Sequence, residues 1–451
     1  MTHARTRLRR GAATAAAAGT LVLPLAVGAA FGVPEADPTT FSVDLPDSLA
    51  IGTSSSVGGM RALTPDVARQ LDNAVLKVMR EAHIPGATVG LWTVGGQSYV
   101  RSFGVADKAT GLSMSPDLFM RIGSETKTFT VTALLQLVDR GKVRLDDPIA
   151  KYVAGVPGGD RITLRELAGM RSGLFNYSAD ASFYKALTSD PQRAFTPQQL
   201  LAYAYKHPPL FPPGRRFDYS NTNLVLLGLV VQKAGGVPLG DFIRANVLAP
   251  AGLDHTLFPN GTQFPTPHAQ GYTDQTATGR VEDAADWNPS WAWAAGAMIS
   301  SLQDLRVWAH TLATGKLPSG GTLVSPTLQK QRLTAPPTGV PGTGYGLGVF
   351  NVQGWIGHNG SLPGYESLTV HLPSAGATLV VLLNTDASHD GQEPSTLVGE
   401  AITRIATPGH VFDLPPQKPD RSDGSDRSDG ADRSDGADKA DRPDGSDRSE
   451  S

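Results

Sequence analysis

The stretch Arg121-Ile122-Gly123-Ser124-Glu125-Thr126-Lys127 runs directly into Thr128-Phe129-Thr130-Val131-Thr132-Ala133-Leu134-Leu135-Gln136-Leu137-Val138. Apolar and small residues recur through the second part at helical spacing, which predicts a helix with Ser124 and Lys127 at or near its N-terminus. Residues three apart share a helix face, so the hydroxyl and the ammonium can meet without help from distant sequence. A serine hydroxyl is a weak nucleophile until a base takes its proton, and a lysine can do that if burial lowers its pKa. The N–H groups of a helix N-terminus add positive potential where an acyl oxyanion would form. The pattern is the S-x-x-K of acyl transfer to serine.

Alone it decides little. Roughly one S-x-x-K is expected by chance in a chain of this size, and a second one stands at Ser182-Phe183-Tyr184-Lys185. Ser124 has to be judged by what accompanies it.

The two ends set limits. Arg5, Arg7, Arg9 and Arg10 precede a small and apolar run from Gly11 to Ala30, with Val27-Gly28-Ala29 or Gly28-Ala29-Ala30 as a small-residue cleavage site. Residues 1–30 are therefore expected to be a signal peptide, and the protein is expected to be secreted into the extracellular, cell-wall space. Pro24 and the many Ala and Gly residues make a poor permanent span, so no stable membrane anchor is expected in the mature chain. At the other end, residues 420–451 hold eleven acids and six bases with no aliphatic side chain larger than Ala. Such a tract buries too little to offset its ordering entropy, and 413–451 is expected to be a disordered acidic tail.

The net charge is −3. Without the four leader arginines it is −7, and without the tail's −5 the body carries about −2. A near-neutral body with no basic patch excludes nucleic acid as a partner. There is no Cys, which rules out disulfides, a thiol nucleophile and a zinc–thiolate site. No metal or cofactor site is expected; His207 and the pair His389-Asp390 read as isolated surface residues.

Residues 31–62 read as a linker. Thr64-Pro65-Asp66 supplies an N-cap, a first-turn proline and an acid for an amphipathic helix to about His83. Ala87–Val94 and Ser98–Val105 read as a hairpin joined at Gly95-Gly96, and Leu118–Ile122 as an extended piece that leads to Ser124. From Gly141 to about Asp286 the chain turns to short helices, clearest at Thr163–Met170, Thr196–Lys206, Asn223–Ala234 and Leu239–Val247. A helix at Ser301–Thr314, strands at Tyr345–Val352, Gly354–His358, Ser367–Leu372 and Ala377–Leu383, and a helix at Pro394–Ile405 complete the body. Strands at both ends with helices between predict an α/β domain (63–140 and 287–412) split by an inserted helical domain (141–286).

Three features support Ser124. In Asp218-Tyr219-Ser220-Asn221, a tyrosine can shuttle a proton if a cation lowers its pKa. The amide of Asn221 can hold a substrate carbonyl and one end of the lysine; alone, the segment also reads as a capped turn. In Gly357-His358-Asn359-Gly360-Ser361, glycine in a strand permits close approach of another backbone. The Ser361 N–H can then pair with that of Ser124 as an oxyanion hole, and His358 offers a tunable positive charge. In Ser290-Trp291-Ala292-Trp293, the indoles can wall a cleft, though indoles more often pack a core.

Ser124-Glu125-Thr126-Lys127, Tyr219-Ser220-Asn221 and His358-Asn359-Gly360 together resemble the three motifs of the penicillin-recognising serine hydrolases. Within these, the chain looks like the secreted D-alanyl-D-alanine carboxypeptidase and class C β-lactamase-like group, over about Leu63 to Ile405. The resemblance implies a β-lactamase/transpeptidase-like fold, α/β plus all-α, with an antiparallel sheet flanked by helices. It implies Ser124 as the acylated nucleophile, Lys127 as its base and Tyr219 as the donor to the leaving amine. Asn221, Trp291, His358, Asn359, Gly360 and Ser361 would bind substrate, a peptidoglycan stem peptide or a β-lactam, in a monomer without cofactor.

Two departures stand out. Asn359 replaces the Thr common in the carboxypeptidases, and the preceding strand, Gly348-Val349-Phe350-Asn351, carries no arginine for a terminal carboxylate. The expected function is D-alanyl-D-alanine carboxypeptidase, with a β-lactamase or esterase as the alternative. A non-catalytic wall-peptide-binding module ranks last, because Ser, Lys, Tyr and Asn are all intact.

Overall fold

The computed structural model describes residues 59–414. The expected signal peptide, nearly all of the linker and all but the first two residues of the tail lie outside them.

In chain order, helix α1 (Pro65–Glu81) is followed by strands β1 (Gly86–Trp92), β2 (Ser98–Asp107), β3 (Leu112–Ser113) and β4 (Met120–Arg121), then helix α2 (Thr126–Asp139). Next come α3 (Leu164–Ala168), α4 (Ala181–Ser189), α5 (Pro197–Ala204), α6 (Asn221–Gly235), α7 (Leu239–Ile243) and the single turn α8 (Ala249–Ala251). Short strands β5 (Tyr272–Thr273), β6 (Glu282–Asp283) and β7 (Ile299–Ser300) lead to α9 (Leu302–Thr314) and α10 (Pro326–Leu333). The chain closes with β8 (Thr343–Tyr345), β9 (Phe350–Val352), β10 (Trp355–Leu362), β11 (Tyr365–Leu372), β12 (Ala377–Leu383) and α11 (Pro394–Ala406).

Eight strands form one sheet in the order β3-β2-β1-β12-β11-β10-β9-β8, and every pairing is antiparallel. The first and last parts of the body meet at β1 and β12, with Val89 opposite Val381. One face is covered by α1 and α11, whose Leu71, Val75, Val398 and Ile402 pack on Val89, Leu91, Leu379 and Val381. The other face takes α9 through Leu302, Leu305 and Trp308 against Val380 and Leu382. Both faces are apolar, so β1 and β12 are buried along their whole length rather than alternating. Among the described residues no single helix is long and apolar enough to cross a membrane.

Helix α2 runs through the middle and is buried from Thr126 to Leu137. Its threonines, polar residues in a dry place, are each bonded as burial requires. Thr130 Oγ1 donates to Ala294 O at 2.8 Å, Thr126 Oγ1 accepts from Met298 N at 3.0 Å, and Thr128 Oγ1 accepts from Trp308 Nε1 at 2.8 Å. Phe129 stacks on Trp308 with centroids 4.1 Å apart. The helix thereby fixes the 294–298 segment beside its own first turn.

Some expected elements differ in extent. The single strand expected over Tyr345–Val352 is two short strands, because Gly346 and Gly348 turn the chain between them; Gly348 has φ +70° and a Cβ there would stand 2.7 Å from Val131 Cγ2. The extended piece Leu118–Ile122 is a strand only at Met120 and Arg121, paired with β7, with a single bridge from Phe119 to His268 beside it. The helix expected over Leu239–Val247 is regular only to Ile243 and continues as a wider π turn, Arg244–Leu248.

Strand β10 sets the geometry of the site. Strand β9 pairs with it only from Trp355 to Gly357, and beyond Gly357 the turn Gly123–Glu125 packs over the face shared with β11, where Ser367 Oγ donates to Ile122 O at 3.0 Å. The approach is closer than side chains would allow. Gly123 has φ +49° and a Cβ on it would come within 2.6 Å of Ser361 N; a Cβ on Gly360 would come within 2.0 Å of Ile122 O. Gly360→Ala is expected to destabilise the fold by about 1–3 kcal/mol, the usual range for overpacking. The check is a lower urea midpoint at unchanged slope; an unchanged midpoint would mean that turn and strand are not held this close.

Candidate active site

Ser124 lies in the 3-10 turn Gly123–Glu125, and Lys127 is the second residue of α2. The i, i+3 spacing does what the sequence predicts: Lys127 Nζ donates to Ser124 Oγ at 2.8 Å. A second donation, to Ala295 O at 2.7 Å, comes from the segment that the α2 threonines hold. Lys127 is fully buried, and desolvation holds its pKa well below the usual lysine range. Ser124 itself is only partly buried.

Tyr219 reaches the same hydroxyl. Its phenol is hydrogen-bonded with Ser124, and Lys127 Nζ stands 4.9 Å from its ring centre. Burial raises the phenol's pKa, Ser124 opposes that through the hydrogen bond, and the charge of Glu393 adds to it. The expected lowering by a neighbouring cation does not occur, because the adjacent lysine is itself desolvated. The tyrosine is therefore a neutral O–H at ordinary pH, and the lysine is the member of the pair whose proton is easily lost.

The tyrosine is held from both sides. Asp218 N donates to Met170 O at 2.8 Å. The N-terminus of α6 is capped by a neighbouring loop: Asn221 N donates to Asn176 Oδ1 at 3.0 Å, and Thr222 Oγ1 donates to Phe175 O at 2.7 Å. Asn221 Nδ2 donates to Ser178 Oγ at 3.1 Å. Its expected bridge to Lys127 is not made, since the lysine's bonds go to Ser124 and Ala295.

The β10 residues divide by strand alternation. His358 turns toward the site, its ring 6.1 Å from that of Tyr219, 4.9 Å from Phe350 and 5.9 Å from Tyr345. Its Nδ1 lies 2.5 Å from the Asn359 carbonyl and must donate there, so Nε2 accepts from the Tyr345 hydroxyl at 3.2 Å. Burial, helped by the charge of Lys127, pushes its pKa down to about 3. The positive charge expected of His358 is thus absent, because the ring is dry and both nitrogens are bonded as the neutral tautomer. Asn359 donates through Nδ2 to Glu393 Oε2, just before α11. Gly360 and Ser361 provide the backbone contact with Gly123.

Trp291, half-buried, packs against Phe183 at 6.0 Å, and its carbonyl accepts from Tyr177 Oη at 2.6 Å, which makes it part of an aromatic cluster. The rival pair is taken apart: Ser182 and Lys185 are both exposed, and Ser182 Oγ bonds to Asp180 and receives Lys206 Nζ at 2.7 Å. His207 is not isolated; it bonds to Asp180 at 2.8 Å and stacks on Phe175.

Sequence reasoning passed over Ala295 O, Tyr345 and Glu393. The first is a backbone atom 168 residues from Lys127, and the others lie farther still along the chain with no motif to mark them. It also passed over Glu125, buried beside the Ser367 and Thr369 hydroxyls, where burial lifts its carboxyl from 4.5 to about 8.

The family described as Beta-lactamase matches residues 71–402. Among solved structures, a D-stereospecific amidohydrolase from Streptomyces sp. is 31% identical, with a TM-score of 0.66 over 74% of this chain and 98% of that one. The D-amino acid amidase of Ochrobactrum anthropi SV3, complexed with L-phenylalanine amide, is 27% identical, with a TM-score of 0.63 over 74% of this chain and 97% of that one. Protein flp of Staphylococcus aureus (strain MW2) is 27% identical over 336 residues, 72% of this chain. The chain spans 65% of the length of that curated relative.

Two outcomes follow from the burial of Lys127 and Glu125. Lys127→Arg keeps a cation but cannot lose its proton near neutral pH; it is expected to stay folded and lose acylation of Ser124 by roughly 10³-fold or more, as loss of an essential base does. A folded Lys127→Arg protein with near-normal acylation rules out the lysine as base. Glu125 gives a stability signature. The folded state keeps its proton where the unfolded chain has released it, so its contribution is full below about 4.5 and is lost as pH rises through about 8. Glu125→Gln should show a flatter fall of unfolding free energy between about pH 5 and pH 8; curves parallel to wild type would contradict this.

Proposed function

The chain belongs to the beta-lactamase family of serine hydrolases, and from that premise we propose that it opens an amide bond through an acyl-enzyme on Ser124. The observation that carries this is the 2.8 Å contact between Ser124 Oγ and a lysine that is fully buried. Such a lysine gives up its proton far more readily than one in water, which is what a base for serine requires.

The steps follow from the contacts. Lys127 as the amine takes the Ser124 proton while Oγ attacks the carbonyl carbon. The developing oxyanion is met by the N–H groups of Ser124 and Ser361, brought side by side by the Gly123–Ser361 packing. Tyr219 gives its proton to the leaving nitrogen and recovers one from the Lys127 ammonium, so the amine departs neutral and the lysine is reset. Water then enters; the same pair takes its proton as it attacks the ester and returns a proton to Ser124.

The substrate class comes from the neighbours. Both solved relatives are named for action on D-configured amides, and we assign this chain an acyl donor ending in a D-residue. D-alanyl-D-alanine wall peptides are one such donor, suited to an exported enzyme, and a β-lactam is acylated by the same chemistry. A D-amino acid amide is the other form, in which the leaving group carries no carboxylate.

A neutral activated ester, p-nitrophenyl butyrate, tests the acyl-enzyme directly. Wild type is expected to show a mass increase of one butyryl group on the peptide containing Ser124. Ser124→Ala is expected to lose the adduct and at least about 10³-fold in rate. An adduct of equal yield in Ser124→Ala would move the nucleophile elsewhere.

A further inference from the structure

Between Asp304 and Glu366 the chain has no Asp or Glu, yet Arg306, Lys316, Lys330 and Arg332 all fall there. The net charge of the whole is −3, so this stretch runs against it. The fold gathers the last three of these cations around one feature. Helices α9 and α10 and the loop joining them flank a cavity of about 660 Å³. Val324, Pro326 and Leu333 line it with the buried Gln329, and the exposed Lys316 and Lys330 stand on its rim. None of the residues around Ser124 contributes to it.

The polar groups inside are already engaged. Gln329 Nε2 donates to Leu312 O at 2.8 Å, and its Oε1 accepts from Arg332 Nη1 at 3.4 Å. The Thr314 and Thr334 hydroxyls donate to His310 O at 2.7 Å and to Lys330 O at 2.9 Å. The two lysines have donors to spare: among the described residues neither ammonium has a hydrogen bond or an ion pair. Behind Gln329 lies a third cation. Arg332 is buried, donates through Nη2 to Thr132 Oγ1 at 2.8 Å, and its Nε has no partner. Burial lowers its pKa only to about 10, so it keeps its charge at neutral pH. Asp139, the acid that touches α10, accepts from Ser325 N at 2.7 Å and does not line the cavity.

A ligand that fits must therefore be apolar in its body and negative at one end. A small hydrated anion would gain little from two exposed lysines, and a neutral apolar molecule would leave their charge unused. We propose that this cavity is a second binding site, separate from Ser124, for an anionic amphiphile with one aliphatic chain and a carboxylate head. The chain lies on Val324, Pro326, Leu333 and the lysine stems, whose methylenes cover apolar surface while their ends stay in water. The head meets the two ammonium groups, and Arg332 adds positive potential from below. The site stands whether or not Ser124 forms an acyl-enzyme.

Calorimetric titration with dodecanoate, acetate and dodecyltrimethylammonium, each below its micelle concentration, tests this. Wild type is expected to bind one dodecanoate per chain, to give no heat with acetate at the same concentration, and to bind the cationic amphiphile at least about tenfold more weakly, the scale of inverting a few surface charge pairs. Lys316→Glu/Lys330→Glu, which alters only exposed side chains, is expected to weaken dodecanoate by a similar factor. Lys316→Arg/Lys330→Arg is expected to retain it. No binding of dodecanoate, equal affinity for the two amphiphiles, or undiminished affinity in the glutamate variant overturns the site. Acetate binding as tightly as dodecanoate overturns the amphiphile, and an equal loss in the arginine variant overturns the role of charge.

Discussion

A lysine that is fully enclosed, held by a serine hydroxyl and a backbone carbonyl and by no carboxylate, is the constraint on which the rest of the site depends. Desolvation of a charged ammonium costs several kcal/mol, and nothing opposite in charge repays it. The group answers by becoming an amine more easily. For that to persist, water must be kept out by rigid surroundings. Helix α2 is accordingly buried along nearly its whole length, and its threonines are bonded to the 294–298 segment that supplies the Ala295 carbonyl. Trp308 closes the floor through Thr128. What packs the core and what lowers the lysine's pKa are the same contacts.

The second constraint is backbone proximity. An oxyanion hole built from N–H groups of two distant segments needs those segments in van der Waals contact, and Cβ atoms would prevent it. Gly123 and Gly360 face each other across the gap, and Gly123 also takes a left-handed φ that other residues adopt reluctantly. The early end of strand β9 leaves one edge of this stretch of β10 without its strand neighbour. Sheet register and the two glycines together place the hydroxyl beside an edge that can receive an extended substrate.

Much of this was legible in the sequence, and the reason is spacing. Ser124 and Lys127 are neighbours on one helical turn, so their contact is local and the i, i+3 rule finds it. The amphipathic α1, with Thr64 and Pro65 at its start, and the apolar strands β1 and β12 were equally plain, because burial on one or both faces writes a period into the chain. The parts that failed lack a period. A two-residue strand such as β5 or β7 has none, and the split of β8 from β9 turns on glycines that the apolar pattern passes over. The packing of Trp291 on Phe183 was not legible either, because an indole in a sequence does not say which ring it will meet.

His358 and Asn359 show a different limit. Motif spacing identified the strand, but charge state is a property of surroundings. A histidine written in a sequence is a switchable cation; between Tyr345, Phe350 and the Asn359 carbonyl it is a neutral ring with both nitrogens in use. Its neighbour Asn359, turned to the other side by strand alternation, meets Glu393, a residue that only the return of the chain into α11 brings there. The charge carried at these two positions is set by burial, which raises the pKa of the Glu393 carboxyl and lowers that of the His358 ring.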